Sequence, residues 1–351
     1  MQIEFYGATS GITGSCHILR ANGHLVLVDC GLIQGRRELE AKNREPFPFS
    51  VEEISAVILT HGHIDHSGRI PLLVRQGYQG LIYAQNATRD LCEILLQDSA
   101  YLQERDAQYE NKWRERKNKP LIEPLYTVRD ARSALENFVG LCYREKKVIL
   151  PGISICFQDA GHILGSSSAE VWIDEDGTRQ KIVFCGDLGQ YVTPILNDPA
   201  VIKQADHVLI ESTYGNRRHR DRESTLEEIG AIIRDARHDR GNLLIPAFAI
   251  GRSQEILYYM GKYYDDWELD RWEIFLDSPM AIKATKVYWE YPHLYDEDAT
   301  RLRHRINEMP KVRDLHLSST VEESMAINNI RSGAIIIAGS GMCNGGRIIH
   351  H

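Results

Sequence analysis

The chain has 351 residues, 43% of them hydrophobic and 26% charged, with a formal net charge of −8. That length suits two domains, or one large domain with an insertion, and the composition is that of a globular protein. The acidic balance argues against a broad polyanion-binding surface, though metal ions or a local basic cleft reverse the sign at a site.

The first residues, MQIEFYGATSG, carry an acid where a signal peptide has its basic region. No apolar run approaches the ~18 residues a bilayer span needs, so no membrane partner and a cytoplasmic location are expected. Strands are expected at Met1–Tyr6, Ser15–Arg20, Leu25–Val28, Ala56–Leu59 and Leu81–Ala84, each short, apolar and bounded by turn residues. Helices are expected at Arg69–Gln76, Thr88–Gln108 and Val128–Val139. The basic run Asn111–Pro120, NKWRERKNKP, reads as a solvated helix end or loop; its sharper reading is a nucleic-acid contact with Trp113 stacking on a base. Further strands follow at Ser154–Gln158, Ala169–Ile173 and Ile182–Cys185. Sheets covered by helices make this an α/β layered domain.

After Leu209 the pattern changes to helix Ser224–Arg237, strand Asn242–Pro246, helix Ser253–Tyr264, strand Glu273–Leu276 and strand Ala334–Ala338. Strand–helix alternation of this kind implies a parallel sheet and a second α/β domain. The boundary is placed in the polar stretch Glu211–Glu223, giving domains 1–210 and 211–351. No internal repeat or low-complexity tract occurs. The seven cysteines are odd in number, scattered and without a C-x-x-C pair, which argues against a disulfide framework or a Cys-type zinc knuckle.

The densest chemistry lies in AVILTHGHIDHSG, where His61, His63, Asp65 and His66 follow a buried strand directly. Three imidazoles and a carboxylate so close together need water, partners or a metal. His61 and His63, two apart, can point the same way from an extended segment, while Asp65 and His66 turn toward a neighbouring point. That pattern serves two adjacent metal ions and differs from the helical H-E-x-x-H motif. Two further strand ends repeat it: His162 in FQDAGHILGSS and Asp187 in KIVFCGDLG. A lone His or Asp in a turn is more often structural, but three glycine-flanked strand ends can converge at one sheet edge. His with Asp is the expected ligand set for zinc, with manganese or iron as alternatives.

HGHIDH with His162 and Asp187 resembles the metallo-β-lactamase signature, and VDCG, with Asp29, resembles that fold's first motif. ESTYGNR with Glu211, IPAFAIGRSQEIL, LDSPMA and GSGMCNGGRIIHH resemble the inserted domain of the β-CASP group. The resemblance covers essentially the whole chain. It implies a metallo-β-lactamase αββα sandwich with an inserted β-CASP α/β domain. That group comprises nucleases, including RNase J, the nuclease of the pre-mRNA 3′-end cleavage complex and the DNA-processing Artemis branch. The chain looks most similar to prokaryotic RNA-processing members related to the 3′-end cleavage nuclease, and the Glu of ESTYG fits the RNA branches better than the DNA branch.

By that resemblance, two zinc ions are expected. His61, His63 and His162 hold one, Asp65 and His66 the other, with Asp187 bridging; Asp29 supports the histidine loop without being a ligand. The family carries two more histidines after the glycine-rich loop, and the sequence ends at His351 before either. The resemblance therefore implies an under-coordinated second metal, low activity and an exposed strand edge for these residues alone. His350 and His351 read as ordinary helix residues, not as replacements.

The expected reaction is hydrolysis of phosphodiester bonds in single-stranded RNA by a metal-bridging hydroxide, which Asp65 and Asp187 orient. Glu211 is expected to orient one of the further histidines. Arg252, at a helix start, and the loop with Ser340 and Gly341 are expected to hold phosphates, and the cleft between domains to admit a single strand. The resemblance also admits a homodimer. A small-molecule metallo-hydrolase of the thioesterase or lactonase type competes with this reading, but predicts no inserted domain. A non-catalytic RNA-binding homologue also competes, but such proteins lose ligands that are intact here.

Overall fold

A computed structural model describes residues 1–306, 312, 315–343 and 345–351, and residues 304–306 by their backbone alone. The strands are β1 (Gln2–Phe5), β2 (His17–Ala21), β3 (His24–Val28), β4 (Ile54–Ile58), β5 (Leu81–Gln85), β6 (Phe138–Leu141), β7 (Lys146–Leu150), β8 (Ile153–Asp159), β9 (Ser167–Glu175), β10 (Thr178–Cys185), β11 (His207–Leu209), β12 (Leu243–Pro246), β13 (Glu273–Asp277), β14 (Leu315–Leu317) and β15 (Ala334–Ala338). The α-helices are α1 (Arg37–Glu40), α2 (Ile64–Ser67), α3 (Ile70–Arg75), α4 (Asn86–Arg116), α5 (Val128–Leu135), α6 (Arg222–His238), α7 (Arg252–Lys262), α8 (Pro279–Glu290), α9 (Glu297–Ile306) and α10 (Val321–Ile327). The chain divides into two compact units: Met1–Tyr191 with Asp198–Thr213, and Val192–Asn197 with Tyr214–His351.

The first unit stacks a six-stranded sheet, β1-β2-β3-β4-β5-β6, on a five-stranded one, β11-β10-β9-β8-β7. The two-residue period of a strand explains the layering. On the first sheet Ile18, Leu25, Leu27, Val57 and Ile82 join the core that includes Leu73 of α3, Cys92 and Leu96 of α4 and Ala131 of α5. Their neighbours Leu19, Val26, Ala56, Ile58 and Tyr83 point the other way, onto Ile155, Phe157, Val171 and Phe184 of the second sheet. Each fully buried Val, Leu, Ile or Phe side chain among them contributes roughly 1.5–3 kcal/mol. Strands β3 to β6 run parallel. Connections through helices are what parallel pairing requires.

Two helices end differently from the sequence pattern. The helix expected at Thr88–Gln108 runs on to Arg116, started by the Gln85 side chain, which accepts from the Ala87 amide. The helix expected at Val128–Val139 opens on a Thr127–Asp130 capping box but stops at Leu135. Phe138 and Val139 instead pair in parallel with Ile82 and Tyr83. Aromatic and β-branched side chains suit that pleated surface, and tertiary pairing overrides the helical period.

The second unit contains a fully parallel sheet, β12-β15-β13-β14. Helix α8 starts at Ser278, whose side chain accepts from the Ala281 amide, with Pro279 in the first turn. Elements β6, β7, β11, β14, α8, α9 and α10 carried no separate signal in the sequence reading. All seven cysteines are free: Cys16, Cys30, Cys92 and Cys156 are buried, Cys185 is intermediate, and Cys142 and Cys343 are exposed.

Asp159 closes β8, and its Oδ1 accepts from the Gly161 amide at 2.9 Å. Burial raises its pKa to about 6, against the lowering effect of that bond. The folded chain therefore keeps a proton that the unfolded chain releases near pH ~4. Stability present below that point is lost as pH rises through about 6. Asp159→Asn, neutral throughout, should gain in thermal midpoint over the parent across this window and differ by a constant amount below it. A difference that stays flat from acid to neutral pH would remove the assigned shift.

Candidate metal centre

Every expected ligand follows a strand or sits on the short helix after one. Asp29, the expected support, follows β3; His61 and His63 follow β4, and Asp65 and His66 lie on α2. His162 follows β8, Asp187 follows β10, and Glu211 follows β11. The two sheets meet at these ends, because the Ser167 amide and hydroxyl both donate to the Thr60 carbonyl at 2.8 Å.

The ring nitrogens converge. His61 Nε2 lies 3.2 Å from His63 Nδ1, and His162 Nε2 lies 3.2 Å from the same atom. Asp187 Oδ2 stands 3.7 Å from His61 Nε2 and 3.4 Å from His162 Nε2. All four donor groups lie within 4.8 Å of one another. Four ligands around a zinc ion with Zn–N of about 2.0–2.1 Å would stand about 3.3 Å apart, so this donor set fits a single divalent metal. Burial, followed by the charges of His66, His63 and His162, pushes the His61 pKa well down. Burial lowers that of His162 as well. Both shifts favour the neutral imidazole, the form with a lone pair to donate.

A second group faces the other oxygen of Asp187. His66 Nε2 is 3.3 Å from Asp187 Oδ1, while its Nδ1 is 2.7 Å from Asp29 Oδ2. Burial opposes charge on His66, yet the Asp29 and Asp187 carboxylates win and raise its pKa well above the ordinary value. Asp187 feels burial pushing it up, but His66 and the other imidazoles hold it well below the usual carboxylate range. Burial raises the Asp65 pKa, with Asp187 adding to the rise. Asp65 and His66 stand outside the four-residue group. Glu211 Oε1 accepts from the Leu188 amide at 2.9 Å, which pins the turn carrying Asp187.

Asp29 is buried, with 1% of its surface exposed, and stands outside the group of four. Its Oδ1 accepts from the Thr60 amide at 2.8 Å and from the Thr60 hydroxyl at 3.0 Å, and its Oδ2 holds His66. Thr60 and Ser166 escaped the sequence reading. The Thr60 hydroxyl is 3.2 Å from His61 Nδ1, and Ser166 Oγ accepts from the His162 amide at 3.0 Å. The sequence signal for them is nearness to a candidate ligand: Thr60 precedes His61, and Ser166 lies four residues after His162.

Two glycines let the loops meet. A Cβ on Gly31 would lie 1.6 Å from the Asp65 carbonyl oxygen, and one on Gly189 would lie 1.8 Å from that of Gly161. Backbone bonds run through both approaches: Leu32 N donates to Ile64 O and Gly189 N to Ala160 O.

Arg252, Ser340 and Gly341 belong to the second unit. Arg252 opens α7 and is exposed, with Nη1 2.5 Å from Glu255 Oε2. Ser340 N donates to Gly345 O, and a Cβ on Gly341 would touch Phe248 at 3.0 Å, so the glycine loop packs on the loop leading to Arg252. The His351 side chain is buried: its Nε2 is 2.8 Å from Asp277 Oδ2 and its Nδ1 2.7 Å from Asn328 Oδ1.

Residues 10–140 match the metallo-beta-lactamase superfamily, and residues 253–351 match the Beta-Casp domain. Ribonuclease TTHA0252 of Thermus thermophilus is 37% identical over 351 residues, which is 100% of this chain and 75% of that protein. An RNase J-like protein of Methanocaldococcus jannaschii is 30% identical over 99% of this chain and 73% of its own length. Transcription termination factor FttA of the same organism is 29% identical over 100% of this chain, which spans only 53% of that relative. The chain belongs to the metallo-β-lactamase superfamily, in the branch of metallo-hydrolases that carries a Beta-Casp domain. None of the described helices is long and apolar enough to cross a membrane.

Asp29→Asn should weaken divalent-metal affinity by about 10–100-fold, because it removes the charge that orients His66. Competition titration with a chromophoric chelator reads this directly, and unchanged affinity would remove Asp29 from its supporting role. Gly189→Ala should cost about 1–3 kcal/mol or more, seen as a lower thermal midpoint with impaired metal uptake. A variant as stable and as metal-competent as the parent would contradict the close approach at Gly161.

Proposed function

We propose that this protein is a zinc-dependent ribonuclease that hydrolyses phosphodiester bonds of single-stranded RNA. The convergence of His61, His63, His162 and Asp187 carries the reading, in a chain whose other unit matches the Beta-Casp domain. The ribonuclease names of two relatives support RNA as the substrate.

His61 Nε2, His63 Nδ1, His162 Nε2 and Asp187 Oδ2 would hold one metal, and Asp65, His66 and Asp187 Oδ1 a second. Bound there, divalent metals supply an activated water and neutralise charge on the phosphate. Asp65 and Asp187 are the carboxylates available to orient the attacking water. Asp29 and Thr60 keep His66 and His61 aimed, and Glu211 keeps the Asp187 turn in place through Leu188. We assign Arg252, Ser340 and Gly341 to phosphates of the strand, through a guanidinium and backbone N–H groups.

The test is to incubate the metal-loaded chain with labelled single-stranded RNA, single-stranded DNA and a thioester, with His63→Ala alongside. RNA should be cleaved in preference. His63→Ala should bind less metal and lose at least about a hundredfold in rate, since losing even an outer partner of a ligand costs 10–100-fold. Turnover of the thioester alone would sink the reading, as would RNA cleavage that survives His63→Ala and chelation.

A further inference from the structure

The second half of α4 takes no part in the metal centre. The first half is core: Leu91, Cys92 and Leu95 lie within 3.7 Å of where a Cβ on Gly62 would stand, so the helix braces the HGH turn. Beyond Ala100 only Ala107 is buried among the helix residues up to Arg116. A helix that needed only solvation would carry plain charges there. This one exposes Tyr101 (50%), Tyr109 (81%) and Trp113 (47%).

Helical spacing places these rings with Arg105, Lys112 and Arg116 on the side away from Ala100 and Ala107, interrupted by Asp106. The Arg105 guanidinium lies 5.8 Å over the Tyr101 ring, and the Lys119 ammonium 4.6 Å over Trp113. The tip is a built hook. Asn111 donates to the Ile122 carbonyl and accepts from its amide, both at 2.9 Å, and Lys119 N donates to Arg114 O. Residues 111–120 hold Lys112, Arg114, Arg116, Lys117 and Lys119 against the single acid Glu115, on a chain whose net charge is −8. Centres of protein-binding surfaces are depleted in lysine. Aromatic platforms interleaved with cations are what an unpaired polynucleotide requires.

We infer that this face of α4 is an anchor for an extended strand of RNA, separate from the metal centre. Bases stack on Tyr109 and Trp113, and Lys112, Arg116, Lys117 and Lys119 hold the phosphates. The choice of RNA rests on the ribonuclease reading above. From Leu95 to Trp113 the helix advances on the order of 30 Å, so the anchor engages only strands that reach well beyond the cleaved bond.

Binding is measured in the His63→Ala background, so that affinity is read without cleavage, by fluorescence anisotropy of a labelled long oligouridylate. Trp113→Ala should weaken binding about five- to twentyfold, and Trp113→Phe much less. Lys112→Ala with Arg116→Ala should reduce the slope of log affinity against log salt by about 1.4. Affinity indifferent to Trp113 at an unchanged thermal midpoint overturns the anchor. So does equal affinity for duplex RNA, whose bases offer no free face, or an effect of Trp113→Ala confined to self-association in sedimentation. RNA cleavage by the parent with Trp113-independent binding removes this inference alone. Trp113-dependent binding without any cleavage removes the hydrolase reading and leaves the anchor.

Discussion

The buried carboxylate of Asp29 connects the end of β3 to the histidine turn after β4. It accepts from the amide and hydroxyl of Thr60 and from the His66 ring, and it lies 3.4 Å from the Ser15 hydroxyl. A carboxylate at 1% exposure is tolerable only with its lone pairs engaged this fully. The consequence runs outward. With Nδ1 of His66 occupied, Nε2 is left to face Asp187. With Thr60 fixed, its carbonyl is placed to accept from Ser167 of the other sheet.

The centre also depends on what is missing from the chain. Loops from two sheets bring the six expected ligands near one another, and Gly31 and Gly189 let backbone approach backbone more closely than any Cβ permits. Helix α4 completes the support from behind: Gln85 caps it, Thr88 donates to the Gly165 carbonyl, and its apolar face packs under Gly62. One helix therefore contacts the turns that bear His61 and His162 while its far end projects a basic, aromatic tip.

The second unit has its own buried carboxylate. Asp277, at the carboxyl end of β13, is fully buried and accepts from Arg347 Nη1 at 2.6 Å, Ser324 Oγ at 2.6 Å and His351 Nε2 at 2.8 Å. Arg347 also reaches the Ser318 carbonyl. These bonds fasten the stretch after the glycine loop to the carboxyl edge of a parallel sheet, the edge where open α/β sheets present their ligand-contacting loops. His350 and His351 looked interchangeable in the sequence. In the fold the His351 ring is a member of this network, whereas the His350 backbone carbonyl accepts from Asn328 Nδ2.

Much of the candidate centre was legible from residue order, because HGHIDH, AGHILG and CGDLG each put a candidate ligand shortly after an apolar strand, and strand ends are local features. The strands and their two-residue period were legible for the same reason. The sequence by itself therefore determined which side chains could bind metal and that two α/β units would form. Only the tertiary structure decided that Asp187 turns one oxygen to His61 and His162 and the other to His66. It alone showed that Thr60 meets the His61 ring while Ser166 holds the His162 backbone amide, that Phe138–Leu141 pairs with β5 as a strand, and that α4 continues to Arg116. The Asp187 contacts and the β5–β6 pairing join groups tens of residues apart, and no local pattern of side chains encodes which distant partner will be there.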